Sequence, residues 1–207
     1  MVKETFLKAV LSGIVLGISG AVYLSVESQP LGALLFSFGL LLIVSKGYYL
    51  YTGKVGYLFP YQKGYGSMLF ISLMGNLVGS GLIGLLFRFS APDEIVQKSY
   101  LLSISKLDQM WYHTFILAIL CGMMVYIAVQ SYKALELSAL RLIIVIMCVV
   151  IFILAGFEHS IANSVYLFVG NVWTIKSIFY LSLWIIGNGI GSIVLRWIEN
   201  QAKIETP

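Results

Sequence analysis

The feature that most constrains this chain is where its charges are missing. No Asp, Glu, Lys or Arg occurs in residues 9–26, 28–45, 64–87, 109–132, 142–157, 160–175 or 177–195. A helix rises about 1.5 Å per residue, so roughly 20 apolar residues cross a hydrocarbon layer about 30 Å thick. Most of the gaps have that length or nearly so. Apolar residues make up 59% of the chain and charged residues 11%, against about 25% charged in an ordinary soluble domain. With a mean hydropathy of +0.94, these numbers exclude a water-soluble globule of this size. The solvent of most of the chain is lipid.

The runs read as six passages, at about 6–26, 31–52, 65–88, 110–131, 139–164 and 174–197. The first is longer than a signal-peptide core and lacks an A-x-A site, so it reads as a retained helix. Four passages look continuous. The second meets Lys46-Gly47 and then Thr52-Gly53-Lys54, and the fifth meets Gly156-Phe157-Glu158-His159. An ionisable group in mid-passage costs roughly 2.5–3.5 kcal/mol on insertion scales. Glycine beside it points to broken helix, which survives at membrane depth only where protein or a watery cavity satisfies the backbone. With an even number of passages both ends share a side. That side holds Lys3, Lys8, Lys54, Lys63, Lys133, Arg141, Arg196 and Lys203, against Arg88, Lys98, Lys106 and Lys176 opposite. The positive-inside rule then places both termini in the cytoplasm and the chain in the cell membrane.

An internal repeat organises the passages. Gly75-Asn76-Leu77-Val78-Gly79-Ser80 and Gly187-Asn188-Gly189-Ile190-Gly191-Ser192 share the pattern G-N-x-x-G-S. The broken passages also occupy matching places, three passages being followed by three more. The expectation is one all-α membrane domain over 1–207, built from two inverted three-helix repeats at about 1–90 and 109–200. Paired broken helices at such an interface mark a substrate path. Small residues four apart equally serve helix packing, and Asn76 and Asn188 fit either a pore wall or a packing seam.

The string Gly156-Phe157-Glu158-His159-Ser160-Ile161-Ala162-Asn163 resembles the formate/nitrite transporter family. So do Phe36-Ser37-Phe38-Gly39-Leu40, Gly47 and Leu50-Tyr51-Thr52-Gly53 of the second passage, Lys8 to Gly13, and both G-N-x-x-G segments. The resemblance runs from about residue 5 to 197. It implies an aquaporin-like six-helix protomer in a homopentamer, each protomer with its own pore. The passengers it implies are small monovalent anions or their conjugate acids: formate, nitrite, acetate, lactate or hydrosulfide. It maps an outer constriction to Phe36 and Phe152, an inner one to Leu40, Leu50 and Tyr51, and a pore centre to Thr52 and His159. The family's usual lysine before the fourth passage and asparagine within it fall at Met110 and Tyr126, which departs from the pattern.

The chemistry of those residue types is consistent with such a pore. A bare anion in a narrow apolar channel loses its hydration, and low dielectric raises a weak acid's pKa, so the neutral acid crosses more cheaply. Histidine, with an unperturbed pKa of ~6.5, is the side chain suited to assist the proton. A structural, hydrogen-bonded His159 is the alternative. Glu158 reads more readily as a brace for loop N–H groups than as a proton acceptor. Asn163 reads as pore wall or packing. Lys46 reads as a snorkelling lysine or, more sharply, as an electrostatic substitute for the missing lysine, pairing with Glu158. The tyrosines at 48, 49, 57, 61 and 65 read as interface anchors or subunit contacts. No cofactor, metal site, catalytic set or nucleic-acid patch is expected, and Cys121 and Cys148 read as inert. A neutral-solute pore of aquaporin type would carry two Asn-Pro-Ala turns, and this sequence has none. A membrane enzyme built on Glu158 and His159, and a transport-dead homologue, are the remaining alternatives.

Overall fold

In a computed structural model, residues 2–203 are described, and they are helical with no strand among them. The helices are α1 Val2–Ser25, α2 Gln29–Lys46, α3 Tyr51–Lys54 (continued by a 3-10 turn, Val55–Leu58), α4 Tyr65–Ser90, α5 Asp93–Leu107, α6 Trp111–Ala134, α7 Ser138–Leu154, α8 Ser160–Gly170 and α9 Ile175–Gln201. Helices α1, α2, α4, α6 and α9 are each long and apolar enough to cross a bilayer. Helices α7 and α8, with 17 and 11 residues, are apolar but shorter. The outside of the bundle is apolar as well: Phe38, Phe70, Phe89 and Ile175 are all exposed. A surface of this kind belongs against lipid or further protein rather than water.

The packing follows from the small residues. Helix α1 lies against α4, and α6 against α9. A Cβ on Gly13 would strike the Asn76 carbonyl, and one on Gly122 would strike that of Asn188. Gly75 and Gly187 would meet Ala9 and Ala118 in the same way, at 2.6 and 2.7 Å. Each G-N-x-x-G-S segment is therefore a seam where two backbones approach within reach of each other's carbonyls. Helices α2 and α7 pack against each other between these pairs.

Helix α5 fills the connection between the third and fourth passages. Asp93 and Glu94 occupy its first turn and Lys106 its last, charges that suit the helix dipole. It clamps one end of the bundle. Ser99 Oγ donates to the Tyr166 carbonyl, and Lys98 Nζ donates to the carbonyls of Leu24 and Val26 at the end of α1.

Candidate functional site

Both expected breaks are present, and the backbone makes them in the same way. Helix α2 ends at Gly47 (φ 65°) and α7 runs out at Gly156 (φ 72°). Both lie in the left-handed region that glycine enters without penalty. Gly47 N–H donates to Val44 O, and Tyr48 N–H reaches back to Ile43 O. Gly156 N–H donates to Ile153 O, and Phe157 N–H to Phe152 O. This is the paired closure that satisfies the last carbonyls of a helix. One extended residue, Leu50 or His159, then precedes the restart.

The restarting backbone is paired by the repeated asparagines. Asn76 Oδ1 accepts from Tyr51 N–H (2.8 Å), while its Nδ2 donates to Ala9 O (2.9 Å) and Tyr49 O (2.8 Å). Asn188 Oδ1 accepts from Ser160 N–H (2.9 Å), while its Nδ2 donates to Ala118 O (2.8 Å) and Glu158 O (2.8 Å). The bonds correspond one for one. Both asparagines are fully buried and hold interrupted backbone at membrane depth, where each unpaired group would cost several kcal/mol. They are braces in the seam, not pore wall.

Two clefts enter the bundle from opposite ends. The outer, about 110 Å3, is lined by Phe36, Phe152, His159, Lys106 and Asn163 among others. The inner, about 90 Å3, is lined by Leu40, Leu50, Lys54 and Lys133 among others. Phe36 and Leu40 lie one turn apart on α2 and share a face, so the two clefts meet this helix about 6 Å apart, with a barrier between them. Phe36 and Phe152 stand on its outer side, and Leu40 and Leu50 on its inner side.

Thr52 and His159 lie in this barrier, both buried, with Thr52 Oγ1 3.0 Å from His159 Nε2. His159 is also the N-cap of α8, and its Nδ1 accepts from Ala162 N–H at 3.1 Å. An imidazole nitrogen that accepts carries no proton, so the ring's hydrogen sits on Nε2. That Nε2–H donates to Thr52 Oγ1, leaving the Thr52 hydroxyl hydrogen for a third partner. Phe152 stacks on the imidazole, with centroids 5.8 Å apart and planes 14° apart. The arrangement leaves one free neutral donor, the Thr52 hydroxyl backed by the His159 Nε2–H, in an aromatic-walled neck, which suits a small oxyanion or carboxylic acid.

Glu158 is fully buried, and Oε2 takes Lys106 Nζ at 2.6 Å and Asn163 Nδ2 at 2.7 Å. The lysine that reaches it is therefore Lys106, on α5, and not Lys46. Lys46 ends α2 exposed, on the opposite side of the barrier from Glu158's cleft, because α2 continues well past Leu40 before it breaks. Lys106, in the last turn of α5, stands four residues before Met110. Tyr126, where an asparagine was expected, does not face the centre. Its hydroxyl donates to Glu199 at 2.6 Å, and its ring packs against Tyr57. Tyr51 is a further correction. Its hydroxyl donates to Ile185 O at 3.2 Å, because the residue after an extended Leu50 points away from Leu50's side. No cluster of metal-binding residues occurs among the described residues.

The long apolar helices and the two clefts on a broken-helix neck define a multi-pass membrane protein of channel architecture. The chain belongs to the formate/nitrite transporter family, whose description, Formate/nitrite transporter, matches residues 1–198. Among its relatives, the formate channel FocA of Escherichia coli strain K12 is 31% identical over 184 residues, which cover 77% of this chain and 64% of that one. The formate channel FocB of the same organism is 30% identical, with the same coverage. The chain thus spans somewhat under two thirds of these relatives' length. Among solved structures, an FNT family ion channel matches with a TM-score of 0.84 at 21% identity, over 98% of this chain and 90% of that one. A structure described as a pentameric formate channel with formate bound matches with 0.78 at 21%, over 98% and 95%.

Proposed function

We propose that this chain passes a small monovalent weak-acid anion, of the formate, nitrite, acetate, lactate or hydrosulfide type, or its conjugate acid, across the cell membrane in a pH-dependent way. The observation that carries the reading is the Thr52–His159 pair, set between two clefts and flanked by Phe36 and Phe152 on one side and Leu40 and Leu50 on the other. A hydrated ion or large solute is stopped by the apolar neck. A small acid exchanges its water for the Thr52 hydroxyl, which His159 backs, and low dielectric there favours its protonated form. His159 assists the proton.

The same reading makes the protein a six-passage domain of two inverted halves, α1 to α4 and α6 to α9, assembled as a homopentamer with both termini in the cytoplasm. The matching Asn76 and Asn188 braces support the halves, and the formate channels among its relatives support the passenger. The protein acts as a transporter, not an enzyme, and Lys106, not Lys46, is the cation that serves the pore centre. Flux of formate, nitrite, acetate and hydrosulfide into proteoliposomes at two pH values tests the function, with His159→Asn alongside. No pH-dependent flux of any of the four would refute it. Full pH-dependent flux in His159→Asn would refute the proton role alone.

A further inference from the structure

Most polar side chains of the outer cleft are turned to one another. Lys106 Nζ and Asn163 Nδ2 both go to Glu158 Oε2, and the His159 ring hydrogen goes to Thr52. Gln29 lies beside the Tyr23 hydroxyl. Tyr166 is the exception. It lines the same cleft and is 5% exposed, yet its hydroxyl meets no hydrogen-bond partner among the described residues. A buried phenol finds a partner as a rule, because an unpaired O–H forfeits a hydrogen bond. The acceptor of this one has to come from the cleft.

Helix geometry aims Tyr166 at the neck. It follows His159 by about two turns of α8, so the two share a face, with Ala162 and Asn163 between them. Long side chains on a helix lean back towards its N-terminus, and the N-cap of α8 is His159 itself. The Tyr166 side chain therefore leans over the small Ala162 towards the constriction. Its ring packs against Tyr23 with centroids 6.0 Å apart, and Tyr23 meets Phe36 edge-on at 6.4 Å. The hydroxyl and the outer constriction thus belong to one aromatic wall. Two neighbours hold Tyr166 in place: Ser99 Oγ donates to its carbonyl at 3.0 Å, and Gly20, without a Cβ, lets α1 close on Val165 and the Tyr166 ring.

We propose that Tyr166 is a specificity-determining residue of the pore, selecting passengers with oxygen acceptors, small carboxylic acids and nitrite, over hydrosulfide. The inference deepens the transport reading and rests on it. Around Tyr166 the cleft is walled by Phe36, Leu102, Phe152 and Phe157, whose side chains carry no polar atom. A passenger that sheds water against them must replace its hydrogen bonds or lose them. The Tyr166 O–H donates to an oxygen at that point. Sulfur is a weak acceptor, so hydrosulfide gains little from the same hydroxyl. The group is neutral, so the preference is for the acceptor atom and not for negative charge. Tyr166 lies beyond Asn163, where the string that carries the family resemblance ends.

Tyr166→Phe removes the oxygen and keeps the ring and its packing, so it separates the hydroxyl from a structural role. Uptake of formate, nitrite and hydrosulfide into proteoliposomes is compared for the two chains at one pH. Formate and nitrite flux should fall roughly threefold to tenfold, the worth of one hydrogen bond, while hydrosulfide flux holds. A second measurement needs no flux. Leu102 lines the outer cleft and is half-buried, while Cys121 and Cys148 are buried. In a Leu102→Cys chain, sodium formate should slow labelling by a methanethiosulfonate reagent saturably. Adding Tyr166→Phe should raise the half-protecting formate concentration by a similar roughly threefold to tenfold. An equal fall for all three passengers, or no fall, overturns the selection while the transport reading stands. If the unaltered chain passes none of the three, the transport reading fails and formate protection decides alone: a raised half-protecting concentration keeps Tyr166 as an oxyacid-binding residue, and an unchanged one overturns it.

Discussion

The break after α2 and the break after α7 share a frame and differ in what they present to the pore. In both, a left-handed glycine closes one half-helix, three non-helical residues follow with the last one extended, and a buried asparagine from the partner seam pairs the restarting backbone. The residue at the extended position is Leu50 in one and His159 in the other. The residue before it is Tyr49 in one, whose ring faces Lys54, and Glu158 in the other, whose carboxylate takes Lys106. Duplicated backbone thus solves the shared problem of satisfying broken helix in lipid. The side chains it carries are then free to diverge, one half supplying an apolar seal and the other a polar centre.

The sharpest way to break this comparison is through the asparagines. Asn188→Leu strips partners from Ser160 N–H and from the carbonyls of Ala118 and Glu158. At about 1–3 kcal/mol for each buried group left unpaired, it should destabilise the fold by several kcal/mol. Asn76→Leu should cost a similar amount, because its three bonds match. Thermal unfolding of both variants in detergent measures the costs. If Asn188→Leu unfolds the protein while Asn76→Leu is silent, the two braces are not equivalent.

Next comes the ion pair that only the second break possesses. Lys106→Met leaves the Glu158 carboxylate buried without its counter-charge, which should cost about 3–5 kcal/mol. Adding Glu158→Gln should recover most of that loss, since the amide needs no counter-ion. Tyr49→Phe, at the corresponding place in the first break, removes no charge partner and should shift stability by less than about 1 kcal/mol. Equal losses for Lys106→Met and Tyr49→Phe would show that the ion pair contributes nothing specific.

What could be read before the structure, and what could not, follows from the range of each interaction. The charge gaps, the two breaks and the G-N-x-x-G-S repeat are local patterns, and each marks a real feature. Thr52 and His159, matched by motif to a common centre, do meet. Lys106 was passed over because its partner is 52 residues away and because α5, amphipathic and polar, shows no apolar run. Its acidic start and basic end were legible helix signals. Tyr51 was mapped to the constriction by resemblance, but it opens α3 and its hydroxyl turns to the Ile185 carbonyl. The inner tyrosines read as interface anchors or subunit contacts, and Tyr49 and Tyr57 also carry Lys54 and Lys133 over their ring faces. A cation over a ring depends on tertiary approach, so no spacing announces it.

His159 itself can be made to resemble its counterpart. His159→Leu places the first break's apolar residue in the second, removes the donor to Thr52 and uncaps Ala162 N–H. Losing a hydrogen bond to a neutral acid, about 0.5–1.5 kcal/mol, should slow formate flux by up to about tenfold. Thr52→Val should slow it less, because the Nε2–H remains. Stopped-flow uptake into proteoliposomes compares them, with circular dichroism checking that His159→Leu remains folded. Faster loss in Thr52→Val than in His159→Leu would reverse the order of the two donors.

The smallest effect tests the shared frame rather than the difference. Gly47 and Gly156 both have positive φ, and a Cβ on either meets nothing within 4 Å. Replacement by alanine therefore costs only backbone strain, about 1–2 kcal/mol for a left-handed residue, with no steric contribution. Because the closures match bond for bond, Gly47→Ala and Gly156→Ala should lower the melting temperature by similar, small amounts. Their effects on flux should differ, since Gly156 lies three residues from His159 and lines the outer cleft with it, whereas Gly47 shares the inner cleft with Leu50 and the lysines. Equal stability loss with unequal flux loss is the outcome expected of one backbone device placed under two different mouths.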